Sequence, residues 1–398
     1  MTPPIHPPGP LKAPRPHPLR DPRVRAIAFQ VLTIAALAWF FWAIFDNTLT
    51  NMRTRGITTG FAFLDHSAGF GILMSLIPYD ETYSYGRTFI VGLLNTLLVS
   101  GLGVIAATLI GFVVGVARLS RNWLIAKLAL IYVETLRNIP LLLQIFFWYF
   151  AVLRPLPQPR QSLELGALFF LNNRGFYMPS PIAGDGMALV GLALVVAIAL
   201  ALAIGRWAKR RHMATGLGFP CWRTGIALVL GLPLLAFLAL GTPVTFDVPH
   251  LQGFNFVGGS RLIPEMVALL LALSMYTAAF IAEIVRSGIL AVSHGQTEAA
   301  HSLGLKPTAT LRLIVLPQAL RVMIPPTTSQ YLNLIKNSSL ATAIGYPDLV
   351  SVFMGTTLNQ TGQAVEIVGM TMAVYLLISL IVSGLMNWYN RAVALKER

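Results

Sequence analysis

Eight stretches of about 20 mostly apolar residues dominate this chain, near 26 to 45, 88 to 117, 127 to 151, 187 to 205, 224 to 241, 262 to 290, 328 to 357 and 366 to 388. A helix rises ~1.5 Å per residue, so about 20 apolar residues cross a ~30 Å hydrocarbon core, and a helix leaves no backbone polar group unsatisfied there. The runs therefore restrict the chain to an all-α integral membrane bundle. The seventh is the least apolar, because "QYLNLIKNSSLATAIGYPDLV" puts polar residues and a proline inside it. Composition agrees: 55% of the 398 residues are hydrophobic and only 11% charged, against about 25% charged in a soluble domain.

A net charge of +14 would suit nucleic acid, but the basic residues flank apolar runs and form no patch interleaved with aromatics. Membrane orientation explains them, and nucleic acid drops out as a partner. Eight spans put both termini on one side. That side carries 20 of the 29 Lys and Arg and the other side seven, with Arg137 and Lys336 at membrane depth. The asymmetry predicts cytoplasmic termini. Residues 1–25 read as a Pro-rich cytoplasmic tail that lacks the apolar core and cleavage site of a secretory signal. The outer segments 46 to 87 and 152 to 186, rich in Gly, Pro, Asn and aromatic residues, read as surface loops able to meet an external partner.

Catalytic signatures are absent. No lysine follows a glycine, so a phosphate-cradling Gly-Lys loop cannot form. The seven histidines are scattered and Cys221 stands alone, which gives no metal site, no disulfide and no cofactor of this chain's own. There is no G-x-S-x-G elbow. The chain is not an enzyme. "GLGVIA" fits a loose dinucleotide pattern but lies inside a span with no strand before it. Its glycines, with Gly111 and Gly115, read as positions where two membrane helices approach closely.

Polar residues inside the spans carry more information, since a charge at a span's centre costs about 2.5 to 3.5 kcal/mol. Glu134 and Arg137 stand at i and i+3, as do Glu283 and Arg286, close enough to pair on a helix. Both pairs read as clamps between helices, with ion sites as the alternative. Tyr276 shares a face with Glu283. Lys336, Asn337, Ser338 and Ser339 gather in one stretch and read as lining a water-filled or substrate-lined cavity.

One segment fits no span. "TEAAHSLGLKPTATLRLIVLP" begins with helix formers from Glu298 to Leu303, meets Gly304 where a positive φ would end the helix, and reaches Pro307, which blocks continuation. A second short helix is expected from about Thr308 to Leu316, stopping at Pro317. This is a helix, a turn and a helix, too short and too polar to span, and it reads as a rigid docking element on the cytoplasmic face.

Glu298, Ala299, Ala300, Gly304, Ile314, Leu316 and Pro317 stand at the spacing of the EAA signature, and this segment resembles that of permease subunits of binding-protein-dependent ABC importers. "NTLLVSGLGVIAATLIGFVVGVARLS", "YVETLRNIPLLLQIFFWYF", "YTAAFIAEIVRSGILAVSHGQTEAAHSLGL" and "NLIKNSSLA" resemble the polar amino-acid importers, and the extra first span and the added pair near 187 to 241 resemble the long permeases of general L-amino-acid importers. The resemblance implies a type I (MetI-like) permease core over 88–388, an insertion at about 152–260, an extra span with its outer segment over 26–87, and a cytoplasmic C-terminus at 389–398. It also implies a bacterial inner-membrane location, a heterodimer with a sister permease, cytoplasmic ATPase subunits that bind the ATP and Mg, a periplasmic binding protein, and L-amino acids as cargo. The signature segment would be the coupling helix. An ion-coupled secondary amino-acid transporter, with Glu134, Glu283 and Lys336 as ion sites, is the alternative function.

Overall fold

The computed structural model describes residues 22–54 and 59–393. Most of the Pro-rich tail, and the last five residues of the expected C-terminal segment, lie outside the described residues. In chain order the elements are α1 (Pro22–Thr54), α2 (Tyr85–Ala117), α3 (Trp123–Asn138) and α4 (Leu141–Phe146), the last running on through a wide π turn, Phe147–Leu153. Strands β1 (Leu163–Leu165), β2 (Phe169–Asn172), β3 (Gly175–Met178) and β4 (Ser180–Ala183) lead into a hairpin of α5 (Met187–Thr215) and α6 (Cys221–Ala239). Strands β5 (Val244–Asp247), β6 (His250–Gln252), β7 (Asn255–Val257) and β8 (Ser260–Leu262) follow. Then come α7 (Pro264–Leu290), α8 (His294–Ser302), α9 (Pro307–Thr310), α10 (Leu316–Asn337), α11 (Leu358–Thr361) and α12 (Ala364–Val393).

Among the described residues, α1, α2, α5, α6, α7 and α12 are each long and apolar enough to cross a bilayer, and α3 with α4 adds a seventh crossing if the bent pair is one span. The third expected span is thus not one straight helix. It bends by 106° between α3 and α4, because Pro140 has no N–H to continue the ladder and pushes Ile139 into an extended conformation, φ −96° and ψ 126°. Gln144 Nε2 donates to the Leu136 and Ile139 carbonyl oxygens, both at 2.9 Å, and so serves the acceptors that the break frees.

The seventh expected span, 328 to 357, also has a different form. Its first part is the end of α10, a helix with Pro325 and Pro326 inside it, and the rest is a 3₁₀ turn over Ser338–Ile344, a sharp bend at Gly345 (φ +75°) and a π turn over Val350–Thr357. α10 is tolerated despite its polar content because it packs between α7 and α12 instead of facing lipid alone.

The core is centred on α7, which packs on α2, α3, α4 and α10. Along its contact with α2 the sequence GxxxG is used directly. A Cβ on Gly111 would lie 2.7 Å from Ile281 Cβ, and one on Gly115 would lie 2.7 Å from both Val285 Cβ and the Ala282 oxygen. No side chain larger than hydrogen fits at either position. Val99, Ile145, Leu269, Leu273, Ile281 and Leu334 are fully or nearly fully buried around this seam. A second cluster, built on Phe63, Tyr85, Leu349, Phe353 and Ile367, ties the segment before α2 to the 345–357 bend and α12. By contrast α1 and α6 bury none of their apolar windows and α5 only 6%, and α5 and α6 pack chiefly on each other.

The expected surface loop at 152 to 186 contains strands. β1, β2 and β3 form an antiparallel meander whose β3 also pairs with β8, Phe176 opposite Leu262 and Tyr177 opposite Arg261, while β4 pairs with β5. The β2–β3 turn is closed by Asn172 Oδ1, which accepts from the Arg174 N–H at 2.9 Å. These pairings join the chain entering α5 to the chain leaving α6, so the hairpin is clipped onto the bundle without interrupting the core. Gly115→Leu should force α2 and α7 apart and cost about 1–3 kcal/mol or more, read as a lower melting temperature of the detergent-purified chain. Gly101→Ala, where an added Cβ meets nothing within 4 Å, should not lower it.

Candidate functional site

Three groups of polar residues are arranged along α7 and α10. The first is the exposed segment after α7. α8 begins at His294 with Ser293 before it, four residues earlier than expected, so Glu298 lies in its second turn and not at its start. There the Glu298 carboxylate meets His294 Nδ1 at 3.0 Å, an exposed i,i+4 pair. The helix ends as expected at Gly304, φ +73°. The Gly304 N–H donates to the His301 oxygen at 2.9 Å and the Leu305 N–H to the Ala300 oxygen at 3.1 Å, the paired bonds of a Schellman ending. Ala300 is the buried residue of α8, while Ala299, Glu298 and Leu303 face outward, Leu303 being 81% exposed.

The second short helix does not stop at Pro317. α9 passes through a π turn, Leu311–Val315, straight into α10, and Pro317 occupies the first turn of α10, where a missing N–H is cheapest. The wider π turn accommodates the proline without ending the helical path. Ile314, Leu316 and Pro317 are half-buried at this junction, and Leu313 is exposed. Between the end of α7, α8 and the π turn lies a groove of about 600 Å³, lined by Arg121, Leu290, His294, His301, Thr310 and Val315 among others.

The second group is an ion triad. Glu283 accepts from Arg286 Nη2 at 2.6 Å, as the i,i+3 spacing predicted, and also from Arg118 Nη1 at the end of α2. Arg118 was not among the expected residues, since 165 residues separate it from Glu283 and only the α2–α7 seam brings them together. Glu134 and Arg137 do not pair. Glu134 is exposed, and the Arg137 guanidinium lies 5.1 Å from the centre of the Phe280 ring, because the α3–α4 break leaves Arg137 in the last turn of α3, facing α7 and not Glu134. Phe280 in turn lies 5.0 Å from Tyr276.

The third group surrounds Lys336 and Ser339 at the far end of α10. With Val350, Met354, Thr371, Tyr375 and Ser379, among others, they line a groove of about 450 Å³ between α10, the 350–357 turn and α12. Ser338 lies behind it, buried, with its hydroxyl donating to the Ile335 oxygen at 2.7 Å. Asn337 is half-buried outside the lining, and Tyr276 is not part of it but packs beside the α7 core. The hydroxyls of Thr371, Tyr375 and Ser379 come from α12 and carry no motif that sequence reasoning could have used.

Asp348 backs the groove and is fully buried. Its Oδ1 accepts from the Ser351 N–H at 2.9 Å and from the Thr342 hydroxyl at 3.5 Å, and its Oδ2 from the Tyr375 hydroxyl at 3.4 Å. Nearby, the Tyr346 hydroxyl donates to the Asn95 oxygen at 3.0 Å and the Leu349 N–H to Thr96 Oγ1 at 3.0 Å. These bonds hold the non-helical 345–349 backbone inside protein, which is where such backbone is tolerated at membrane depth. The "GYPD" stretch, with its turn residues inside an apolar run, was the available signal. Among the described residues no group of His, Cys, Asp and Glu could hold a metal.

The family model described as "Binding-protein-dependent transport system inner membrane component" matches residues 204–395. The chain is 58% identical over 378 residues to the Escherichia coli (strain K12) "Putative amino-acid ABC transporter permease protein YhdX", covering 95% of this chain and 96% of the relative. It is 55% identical to the Rhizobium johnstonii "General L-amino acid transport system permease protein AapQ" over 95% and 94% of the two chains. It is 43% identical to the Rhodobacter capsulatus "Glutamate/glutamine/aspartate/asparagine transport system permease protein BztB" over 95% and 96%. The triad makes its own prediction: Glu283→Gln leaves Arg118, whose side chain is 12% exposed, without its counter-charge, and should cost on the order of 1–3 kcal/mol given partial solvent screening. Melting temperature checks it, with Glu134→Gln unchanged; equal melting of the two variants would refute the assignment.

Proposed function

The chain belongs to the family of inner-membrane permease components of binding-protein-dependent amino-acid ABC transporters, and from that membership we propose that it forms half of a translocation path for L-amino acids, driven by ATPase subunits that seat on α8 and α9. Its relatives are ABC transporter permeases, so the ion-coupled carrier falls away as a function. ATP and Mg belong to the partner chains. The other proposed partners are a sister permease, which supplies the other half of the path, and a periplasmic binding protein docked on the outer segments. The charge asymmetry of the loops supports cytoplasmic termini and, with them, a cytoplasmic position for α8 and α9.

The observation that carries this reading is mechanical. The exposed α8–α9 element is continuous through one π turn with α10, and α10 ends at Lys336 beside the polar groove. Twenty residues of helix span ~30 Å, so a displacement at the docking element reaches the groove along one stiff rod. The ion triad ties the end of α2 to α7 on the same side and makes those two helices move together. ATP-driven closure of the ATPases then shifts α8 and α9, tilts α10 against the α2–α7 seam, and opens the groove alternately to either face. Within the groove, Lys336 and the serine and threonine hydroxyls offer charge-assisted hydrogen bonds to a cargo carboxylate. Asn337 and Ser338 support that wall from behind or beside it.

Two variants test the two ends of the rod. Gly304→Val must hold a β-branched residue at φ +73°, a strain of about 1–2 kcal/mol or more. Its docking turn should therefore be misshapen while the spans are intact: normal membrane levels, little co-purified ATPase, and uptake and transport-linked ATP hydrolysis falling together. Gly304→Asn, which tolerates this conformation, should retain more of both. ATPase retention and uptake at parental levels in Gly304→Val would remove the docking role. At the other end, Lys336→Ala should keep the ATPase but raise the KM for uptake by roughly tenfold, the loss of one charged hydrogen bond. Unchanged uptake kinetics would remove Lys336 from the path.

A further inference from the structure

We infer that the end of α5 carries a binding site for the headgroup phosphate of an anionic phospholipid, formed by Arg206, Lys209 and Arg210. These three cations stand at i, i+3 and i+4 and border one notch of about 500 Å³ together with Met213 and Ala214. Residues at that spacing share a helix face, so their charges converge on one place. Five Lys and Arg and no Asp or Glu occur from Arg206 to Arg223, and among the described residues none of these cations forms a salt bridge.

That distinguishes them from two arginines beside the core. Arg118 and Arg286 are consumed by Glu283, whereas the α5 cations point at nothing that neutralises them. Orientation signals alone need charge but not convergence on one notch. The surroundings match a bilayer interface. Trp207 and Trp222 are 50% and 67% exposed; the Arg211 guanidinium lies 5.3 Å from the Trp207 ring and that of Arg223 5.5 Å from Trp222. Exposed tryptophans beside cations at the end of an apolar span mark the headgroup level. Beyond them α5 and α6 bury almost none of their apolar windows, which leaves an apolar surface along which the acyl chains of the same lipid can lie. A free phosphate would use the notch but not that surface.

The test is lipid retention by the intact, detergent-purified importer complex, with bound lipid counted by native mass spectrometry after addition of phosphatidylglycerol or phosphatidylcholine. Parental protein should retain phosphatidylglycerol selectively. Each cation near an anionic headgroup is worth about fivefold, so R206Q/R210Q should retain roughly twentyfold less at limiting lipid. Because those arginines also help orient the hairpin, Met213→Glu supplies a variant that keeps every cation and places a carboxylate in the notch; it should lose the lipid at normal membrane levels. Equal retention of both lipids, retention by Met213→Glu at the parental level, or displacement of phosphatidylglycerol by an equal concentration of inorganic phosphate would each overturn the assignment.

Discussion

The contact between α2 and α7 governs the rest of the molecule. Gly111 and Gly115 present bare backbone to Ile281, Ala282 and Val285, which lets two apolar helices touch along their length in a solvent where apolar surface by itself gives no reason to associate. Everything that makes α7 a centre follows from this approach. Arg118 reaches Glu283 only because the two helix axes are close at that end, and α10 finds a groove beside α7, where Gly288 faces Met323, only because α7 is already fixed. A bulky residue at either glycine would undo the ion triad as well as the seam.

Around that rigid pair the irregular backbone is collected. The 106° break at Pro140, the π turns at 147–153, 311–315 and 350–357, and the bend at Gly345 all lie in or beside the core helices and not in α1, α5 or α6. A membrane interior supplies no water to satisfy freed carbonyls, so each break needs a local donor. Gln144 serves the first, and at the bend Asn95 Nδ2 donates to the Pro347 oxygen while Thr96 Oγ1 accepts from the Leu349 N–H. Breaks supported in this way let irregular backbone sit inside the bundle without leaving its polar groups unsatisfied.

The peripheral helices obey a different rule. α1 and the α5–α6 hairpin bury almost none of their apolar length against the rest of the chain, and the hairpin is held at its base by strand pairing of β3 with β8 and β4 with β5. Two short antiparallel ladders suffice because they need only close the loop, while the bilayer supports the helices themselves. The hairpin and its strands therefore add a β layer at one end and a basic stretch at the other without changing how α2, α7 and α10 meet.

The sequence alone determined the features that depend on local pattern. Long apolar runs dictated spanning helices, the Gly111–Gly115 spacing announced a close helix contact, and Gly304 before Pro307 announced a helix end with positive φ, because each property belongs to a few neighbouring residues. The i,i+3 rule was right for Glu283 with Arg286 and wrong for Glu134 with Arg137. Spacing makes a pair possible, but which partner a charge takes depends on what the neighbouring helix brings within reach, Arg118 in one case and Phe280 in the other. Likewise Pro140 and Pro317 look alike in sequence. One breaks a span and the other sits in the first turn of a helix, since the cost of a missing N–H depends on whether the backbone before it can widen or must turn. The groove at Lys336 was half legible: the Lys-Asn-Ser-Ser run was visible, but its opposite wall, Thr371, Tyr375 and Ser379, and the buried Asp348 behind it were decided only when α12 packed against α10. Those contacts join residues dozens of positions apart, and no local periodicity encodes them.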